Sequence, residues 1–270
     1  MICALKLINP PKRGFFRRVY VKLFGAKPYA VRSSVDGIEV LTIICEGHSY
    51  EQKRIKKRIR NLAGEHYKNV LLPRSIDLSP YVYPPDSSEY YITVIDETLK
   101  ALVKASRVPP AQLSIVVADP DGKFKKLSDT AVMCASVVKI FTYNRGYEKF
   151  ADKIYKEYGA VLLTGSNTAL MQGCRIAVVP YAIAHELPFL SDTFVLTLPP
   201  LCRQTGLICT AYHLSVPYSF QKYFDKDCDP TAALYLLDKE KTVRIDRNRH
   251  AHSLTVNNVV YPLEKAAKLI

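Results

Sequence analysis

The sequence predicts an α/β protein with a mainly parallel sheet and a smaller α/β lobe on its N-terminal side. The first reason is composition, because 48% of the 270 residues are apolar, which suffices for a packed core. The second reason is order along the chain, since short β-rich runs alternate with helical patterns between residues 113 and 198. The predicted domains are a basic arm (1–35), the N-terminal lobe (36–107), the parallel-sheet domain (108–215) and a C-terminal segment (216–270) that returns to the N-terminal lobe.

The N-terminal part shows strand patterns and helical patterns. Residues 38–45 are apolar and rich in β-branched side chains, which predicts a buried strand. Ser49 is expected to cap the next helix, in which Ile55, Ile59 and Leu62 form an apolar stripe. The remaining predicted elements are a strand at 17–23 within the arm, a short strand at 69–72 and a helix at 89–106.

The parallel-sheet domain is predicted from strands that alternate with helices. The predicted strands are 113–118, 137–143, 160–163, 174–179 and 192–198, and the predicted helices are 125–134 and 147–158, with a helical turn at 167–172. Gly159 is expected to end the second of these helices in the left-handed conformation that favours glycine. Further along, the patterns predict a strand at 206–214, a helix at 229–237 and a hairpin formed by 242–245 and 254–261.

Three sequence features follow one another between residues 138 and 179. The Asn144-Arg145 pair follows the second strand, Tyr158-Gly159 ends the next helix, and Cys174-Arg175-Ile176 introduces a later strand. In this order they resemble the cofactor domain of the shikimate dehydrogenase and glutamyl-tRNA reductase group, over about 90 of the 270 residues. The resemblance implies a Rossmann-like domain. It also implies that the Asn-Arg pair contacts the adenosine ribose and its 2′-phosphate, as in the NADP-using members of that group.

A candidate cofactor site follows from this fold. In a parallel α/β sheet, ligands bind at the carboxyl ends of the strands, where the strand order reverses. The residues predicted to line this crevice are Asn144, Arg145, Thr164, Ser166 and Asn167. His185 and Glu186 follow the strand at 174–179 and are expected at the same edge.

The loop after the first strand of this domain departs from the family pattern. Rossmann domains place G-x-G-x-x-G/A here, so that the backbone can touch the pyrophosphate at a helix N-terminus. This chain has Ala118-Asp119-Pro120-Asp121-Gly122-Lys123, with one glycine and with a proline that lacks an amide donor. The two carboxylates put negative charge where a diphosphate would lie. NADP is the cofactor that the resemblance implies, and this loop argues against binding it.

Positive charge is concentrated near the N-terminus. Residues 1–70 hold 15 Lys or Arg and five Asp or Glu, and no acidic residue precedes Asp36. This asymmetry predicts an anionic partner, either nucleic acid or an anionic membrane surface, or else an acidic protein. Within the basic helix at 53–60, the candidate anion-binding residues are Lys53, Lys56, Lys57 and Arg60. The alternative is that these residues form a solvated face opposite the apolar stripe.

Neither a membrane span nor a secretory signal is predicted. No run of 18 apolar residues exists, and the apolar start precedes its basic residues, which is the reverse of a signal peptide. The seven cysteines are scattered and form no C-x-x-C pair, so we expect a cytoplasmic protein with reduced thiols.

Two further groups of residues each allow two interpretations. Cys45 and His48 lie at a predicted strand-to-helix turn, where the cysteine is either a stabilised thiolate or a buried thiol beside a loop histidine. The second group is a polar loop that either binds an anion or a metal weakly or is simply exposed: Arg244, Asp246, Arg247, Arg249, His250 and His252. No set of about four ligands accompanies either group, so no metal site is predicted.

Three functional hypotheses remain. The first is a non-catalytic, dehydrogenase-like protein that keeps the scaffold for a structural, regulatory or ligand-sensing role. The second is an NAD(P)-linked oxidoreductase with an atypical phosphate loop. The third is binding of nucleic acid or an anionic surface through the basic N-terminal region. The family's catalytic residues have no convincing counterpart here, so the sequence leaves open whether the protein is an enzyme.

Overall fold

The computed structural model describes residues 1–9, 14–87, 89–180, 187–197, 205–240 and 250–270. The strands are β1 (Ile2–Ile8), β2 (Tyr29–Val35), β3 (Ile38–Glu46), β4 (Val70–Leu71), β5 (Ser114–Ala118), β6 (Val137–Phe141), β7 (Leu162–Gly165), β8 (Ile176–Val179), β9 (Phe194–Thr197), β10 (Leu207–His213), β11 (Ser253–Val256) and β12 (Val259–Pro262). The helices are α1 (Phe15–Phe24), α2 (Lys53–Ala63), α3 (Tyr90–Ser106), α4 (Lys125–Cys134), α5 (Gly146–Tyr158), α6 (Tyr218–Gln221), α7 (Pro230–Lys239) and α8 (Leu263–Ala266).

The described chain divides into two compact units. The first unit comprises residues 1–88 and 216–247, and the second comprises 89–215 and 248–270, apart from the positions outside the described ranges. In the ranges given above, no helix has the length and apolar content that crossing a bilayer requires.

The first unit is built on a four-stranded sheet in the order β2-β3-β1-β4. β1 runs parallel to both β3 and β4, and β2 pairs antiparallel with β3 at the edge. One apolar core on this sheet includes Leu5, Ile43, Ile55 and Ile59, so the predicted stripe of α2 packs where it was expected. Residues 216–240 of the predicted C-terminal segment also belong to this unit. The Asp225 carboxylate accepts a hydrogen bond from the Leu7 amide at 2.8 Å.

Two local predictions for the first unit were wrong. Residues 17–23 lie in the helix α1 and not in a strand, because their apolar residues also recur at helical spacing. Ser49 does not cap α2, which begins at Lys53 after the extended residue Gln52. The Ser49 hydroxyl instead accepts a hydrogen bond from the Ala26 amide at 3.2 Å, which ties the end of the α1 segment to this turn.

The second unit has a Rossmann-like fold. Its sheet has the order β12-β11-β10-β9-β8-β5-β6-β7, in which β5 to β10 run parallel to one another. β11 pairs antiparallel with both β10 and β12 at the edge. Numbered from β5, the six parallel strands have the order 3-2-1-4-5-6 that is typical of dinucleotide-binding domains, and the order reverses between β5 and β8. The predicted fold class is therefore confirmed.

Most predicted elements of this unit are confirmed, and the terminal hairpin is corrected. Helix α4 has its predicted bounds, and Gly159 ends α5 with φ 65° and an amide that bonds to Tyr155. Residues 254–261 were predicted as one strand, but they divide into β11 and β12 around Asn257 and Asn258. Both asparagines have positive φ, as a two-residue hairpin turn requires. The predicted partner strand at 242–245 lies outside the described residues.

A buried carboxylate fixes α4 against α3. Asp96 of α3 is fully buried, and it accepts a hydrogen bond from the Thr130 hydroxyl of α4 at 2.5 Å. The ammonium groups of Lys100 and Lys126 lie 3.0 and 3.5 Å from its other oxygen. A buried charge needs such partners, so this group sets the position of α4 and hence of the loop that precedes it.

Candidate functional site

The loop between β5 and α4 occupies the position at which a Rossmann domain holds its diphosphate. Asp119 directly follows β5 and is fully buried. Its Oδ1 accepts a hydrogen bond from the Lys123 amide at 2.8 Å, and its Oδ2 accepts one from the Phe124 amide at 2.9 Å. These amides lead into the first turn of α4, so the chain's own carboxylate takes donors that an anion would otherwise use.

Tyr147 completes the surroundings of this carboxylate. Its hydroxyl donates a hydrogen bond to Oδ2 of Asp119 at 2.5 Å and lies 3.1 Å from the Ser128 hydroxyl of α4. Burial and the Asp119 carboxylate raise the pKa of Tyr147 well above its usual value. The three side chains therefore join the β5–α4 loop, α4 and α5 in one buried polar network whose groups are all hydrogen-bonded.

Asn144 covers the same loop from the carboxyl end of β6. Its Nδ2 donates a hydrogen bond to the Asp121 carbonyl at 3.0 Å, and its Oδ1 accepts one from the Gly146 amide at 2.8 Å. Gly122 has φ 76°, and a Cβ placed there would lie 2.3 Å from the Asn144 Nδ2. The glycine thus permits a close approach, but to a side chain of this chain and not to a ligand.

The other predicted cofactor-binding residues lie at the carboxyl ends of β6 and β7. Arg145 is exposed at the start of α5, and Thr164 is half-buried in β7. Ser166 is exposed beyond β7, and the Asn167 side chain accepts a hydrogen bond from the Ala169 amide at 2.9 Å. The structure thus brings the five predicted residues to one edge of the sheet, where Asn144 and Asn167 satisfy local backbone amides. His185 and Glu186 lie outside the described residues.

The predicted anion-binding helix α2 has a solvated basic face. Lys53, Lys57 and Arg60 are exposed, while Lys56 is half-buried and donates to the Asp77 carbonyl at 3.2 Å. The Arg60 guanidinium stacks over the Tyr67 ring at 4.6 Å from its centroid. Lys53 and Lys57 therefore extend into solvent, whereas Lys56 and Arg60 also make contacts within the unit.

Helix α1 presents an exposed apolar surface within the predicted basic arm. We call this surface the α1 apolar face, and its exposed residues are Phe16, Val19, Tyr20, Leu23 and Phe24. Phe16 is 88% exposed and Leu23 is 66% exposed, while the Tyr20 and Phe24 rings are 5.0 Å apart. An apolar stripe on a helix normally faces a core, so its exposure marks an interaction surface.

Cys45 is not an activated nucleophile in this structure. It is fully buried, and burial, followed by the charge of Glu46, raises the pKa of its thiol to about 11. The thiol therefore stays protonated at neutral pH, as expected for a buried cysteine in a core.

The described residues offer no evident metal site. The described histidines of the polar loop are His250 and His252, and Nδ1 of His252 lies 3.1 Å from the Ser253 hydroxyl. Among the residues that the structure describes, no group of three or more His, Cys, Asp or Glu side chains is placed to hold a metal ion.

Tyr147 and Ser128 are the site residues that sequence reasoning missed. Neither residue belongs to a motif, and Tyr147 lies 28 positions from Asp119 along the chain. The available signal was indirect, because a buried carboxylate after β5 requires donors and the helices beside it were predicted correctly.

Comparisons with known proteins return distant similarity only. No protein-family model matches the chain, and the comparison with curated proteins finds no match. A solved Δ1-pyrroline-2-carboxylate reductase of Thermococcus litoralis, in complex with NADH and L-proline, is 10% identical, with a TM-score of 0.31 over 43% of this chain and 37% of that chain. An L-tryptophan dehydrogenase from Nostoc punctiforme is 15% identical, with a TM-score of 0.31 over 73% of this chain and 62% of that chain. The chain thus spans less than two thirds of either neighbour.

Proposed function

We propose that the protein is a non-catalytic, dehydrogenase-like protein whose Rossmann-like unit has a structural, regulatory or ligand-sensing role. The observation that carries this proposal is the Asp119 carboxylate, which bonds to the Lys123 and Phe124 amides before α4. In dinucleotide-binding members of the fold, this position belongs to the pyrophosphate. The resemblance to the shikimate dehydrogenase and glutamyl-tRNA reductase group is part of the proposal, in the sense of a shared scaffold.

Charge argues against a diphosphate in this position. The Asp119 carboxylate is fully buried in this loop, so a diphosphate bound at the Lys123 and Phe124 amides would lie close to a like charge. Two like unit charges repel by roughly 4 kcal/mol at about 4 Å and an effective dielectric constant of about 20. That repulsion alone weakens binding by about a thousandfold.

The donors and the space of the loop argue in the same direction. Pro120 has no amide hydrogen, and the amides of Lys123 and Phe124 are already engaged by Asp119. Asn144 lies against Gly122, where a pyrophosphate would need to approach the backbone. The residues present therefore do not fit NAD or NADP in the usual pose.

Direct titration with dinucleotides tests the proposal. We expect no saturable shift of the unfolding temperature with NAD, NADH, NADP or NADPH at millimolar concentration, because ligand binding to the native state must stabilise it. The unsubstituted 270-residue protein is compared with Asp121→Asn, which removes an exposed charge from the same loop but keeps the Asp119 contacts. A NAD(P)-dependent dehydrogenase measured alongside provides the positive control. A saturable shift with any of the four dinucleotides would overturn the proposal and favour an oxidoreductase with an atypical loop.

A further inference from the structure

The α1 apolar face has the spacing of a complete amphipathic stripe. Its residues stand at positions i, i+3, i+4, i+7 and i+8 of a ten-residue helix, so they share one side of α1. Each of the five is at least 42% exposed, which is unusual for a stripe of three aromatic and two aliphatic side chains. Contiguous exposed apolar surface of this kind marks a site for a protein or a membrane.

The charge around this face distinguishes between those partners. The helix contains Arg17, Arg18 and Lys22 and no acidic residue, and eight basic residues with no acidic one occur in residues 1–35. A basic helix with aromatic residues on its apolar side is typical of helices that lie in the interface of an anionic bilayer. Nucleic acid would satisfy the charges but would leave most of the aliphatic side chains exposed to water.

The structure also fixes one end of α1 relative to the first unit. Gly25 ends the helix with φ 71° and donates its amide to the Val21 carbonyl at 2.8 Å. The following Ala26 amide bonds to the Ser49 hydroxyl, and the Arg58 guanidinium donates to the Pro28 carbonyl at 3.3 Å. A Cβ on Gly25 would meet the Gln52 side chain at 2.9 Å, so the end of α1 lies against the start of α2. The exposed basic residues Lys53 and Arg54 therefore belong to the same neighbourhood.

We propose that α1 is an interfacial helix that attaches the protein to an anionic lipid bilayer. The α1 apolar face lies among the acyl chains just below the headgroups, while the net positive charge of α1 and of the start of α2 attracts this part of the chain to anionic headgroups. This attachment is peripheral, which agrees with the absence of a spanning helix from the described residues. It is independent of the proposed function of the Rossmann-like unit, because the two rest on different units and different residues.

Vesicle flotation of the 270-residue protein tests the attachment. The vesicles contain phosphatidylcholine and phosphatidylserine at roughly 2:1, and parallel samples contain phosphatidylcholine alone. We expect binding to the anionic vesicles that is at least about tenfold tighter than to the neutral ones and that weakens as salt increases. Equal binding to both kinds of vesicle, or to neither, would refute the proposal.

A matched pair of double variants assigns the binding to α1. Phe16→Ser with Leu23→Ser removes two residues of the α1 apolar face, which are 88% and 66% exposed. Tyr218→Ser with Met133→Ser removes two residues of 88% and 70% exposure elsewhere and serves as the control. We expect at least about a tenfold loss of vesicle binding for the first variant and none for the second. A first variant that binds vesicles like the wild type would overturn the assignment.

A spectroscopic probe reports directly on insertion. The chain contains no tryptophan, so Phe16→Trp introduces a single tryptophan on the α1 apolar face, which can be excited selectively. We expect its emission to shift to shorter wavelength when anionic vesicles are added, because the indole leaves water for an apolar medium. Unchanged emission would refute insertion. Binding to duplex DNA or RNA, or self-association, that depends on Phe16 and Leu23 in the absence of vesicle binding would instead identify another partner and refute the proposal.

Discussion

The β5–α4 loop forms hydrogen bonds within the chain, whereas helix α1 exposes apolar side chains to solvent. At the loop, the amides before α4 bond to the Asp119 carboxylate, and Tyr147 supplies a further donor. At α1, the apolar face lies open to solvent although its spacing is that of a core-facing stripe. The first region is therefore complete within the chain, whereas the second has surface left for something outside it.

This difference bears on where a functional site should be sought in a Rossmann-like fold. Rossmann-like topology directs attention to the carboxyl ends of β5 and β6, yet Asp119 and Asn144, which follow these strands, form hydrogen bonds within the chain itself. The fold alone therefore does not identify a binding site. More informative is whether the individual hydrogen-bond donors are already bonded and whether the apolar side chains are exposed. The basic N-terminal part of the first unit is the stronger candidate for contact with a partner.

Among the substitutions that test this contrast, removal of the Asp119 carboxylate is expected to have the largest effect on stability. Asp119→Ala leaves the Lys123 and Phe124 amides and the Tyr147 hydroxyl without their acceptor. We expect the free energy of unfolding to fall by about 3 kcal/mol, measured by urea denaturation. The control is Asp121→Ala, whose ion pair with Lys123 is exposed and is expected to contribute less than about 1 kcal/mol. A loss for Asp119→Ala no larger than that of the control would show that the loop is not held by this carboxylate.

An intermediate effect is expected from the tyrosine that completes the network. Tyr147→Phe removes a hydroxyl that donates to a carboxylate, and we expect it to cost about 1.5 kcal/mol near neutral pH. The pH dependence has a definite sign, because the pKa of Tyr147 is raised in the folded state. The unfolded chain loses this proton above about pH 10 while the folded protein retains it, so the stability it contributes is present below that pH and lost above it.

Denaturation midpoints at neutral and alkaline pH measure this dependence. Since the variant lacks the titrating group, its stability should fall less steeply than that of the wild type above about pH 10. Tyr212→Phe shows the effect of removing a different buried tyrosine hydroxyl, because Tyr212 is also buried and donates to the Thr197 carbonyl at 3.0 Å. Identical alkaline slopes for the wild type and Tyr147→Phe would contradict the assignment.

The smallest effect on stability is expected at α1. Leu23→Ala should change the free energy of unfolding by no more than about 0.5 kcal/mol, because this side chain is mostly exposed. The matched substitution Ile59→Ala removes a fully buried residue of the neighbouring helix and should cost about 3 kcal/mol. Comparable losses in urea denaturation would mean that α1 belongs to the core, and the contrast between the two regions would disappear.

Much of the second unit could be predicted because its signals are local. The alternation of strands and helices, the left-handed Gly159 and the bounds of α4 all follow from short stretches of sequence. The first unit was harder, since β1 is held by parallel pairing with β3 and β4, which lie far along the chain. A short apolar run with such distant partners resembles any other buried segment. For α1, partial alternation at 17–23 favoured a strand, although the same residues also fit a helix.

The negative charge of the β5–α4 loop was predicted from the sequence, but the hydrogen-bond partners of its buried carboxylate were not. The sequence showed negative charge and a missing glycine motif, and it suggested that Asp119 would face a ligand and repel it. In the structure that carboxylate turns back onto the amides four and five residues ahead. Tyr147 comes from the next helix but one, and Asn144 follows another strand, so neither contact follows from local spacing.

The Asp119 carboxylate has a consequence for how the protein responds to its surroundings. A dehydrogenase that depends on a bound dinucleotide gains stability with the concentration of free cofactor, so its abundance follows the metabolic state of the cell. Here the occupying anion is tethered to the chain, and its effective concentration is fixed by a few bonds and not by metabolism. On the proposed function, the stability of the Rossmann-like unit would not depend on the concentration of free dinucleotide.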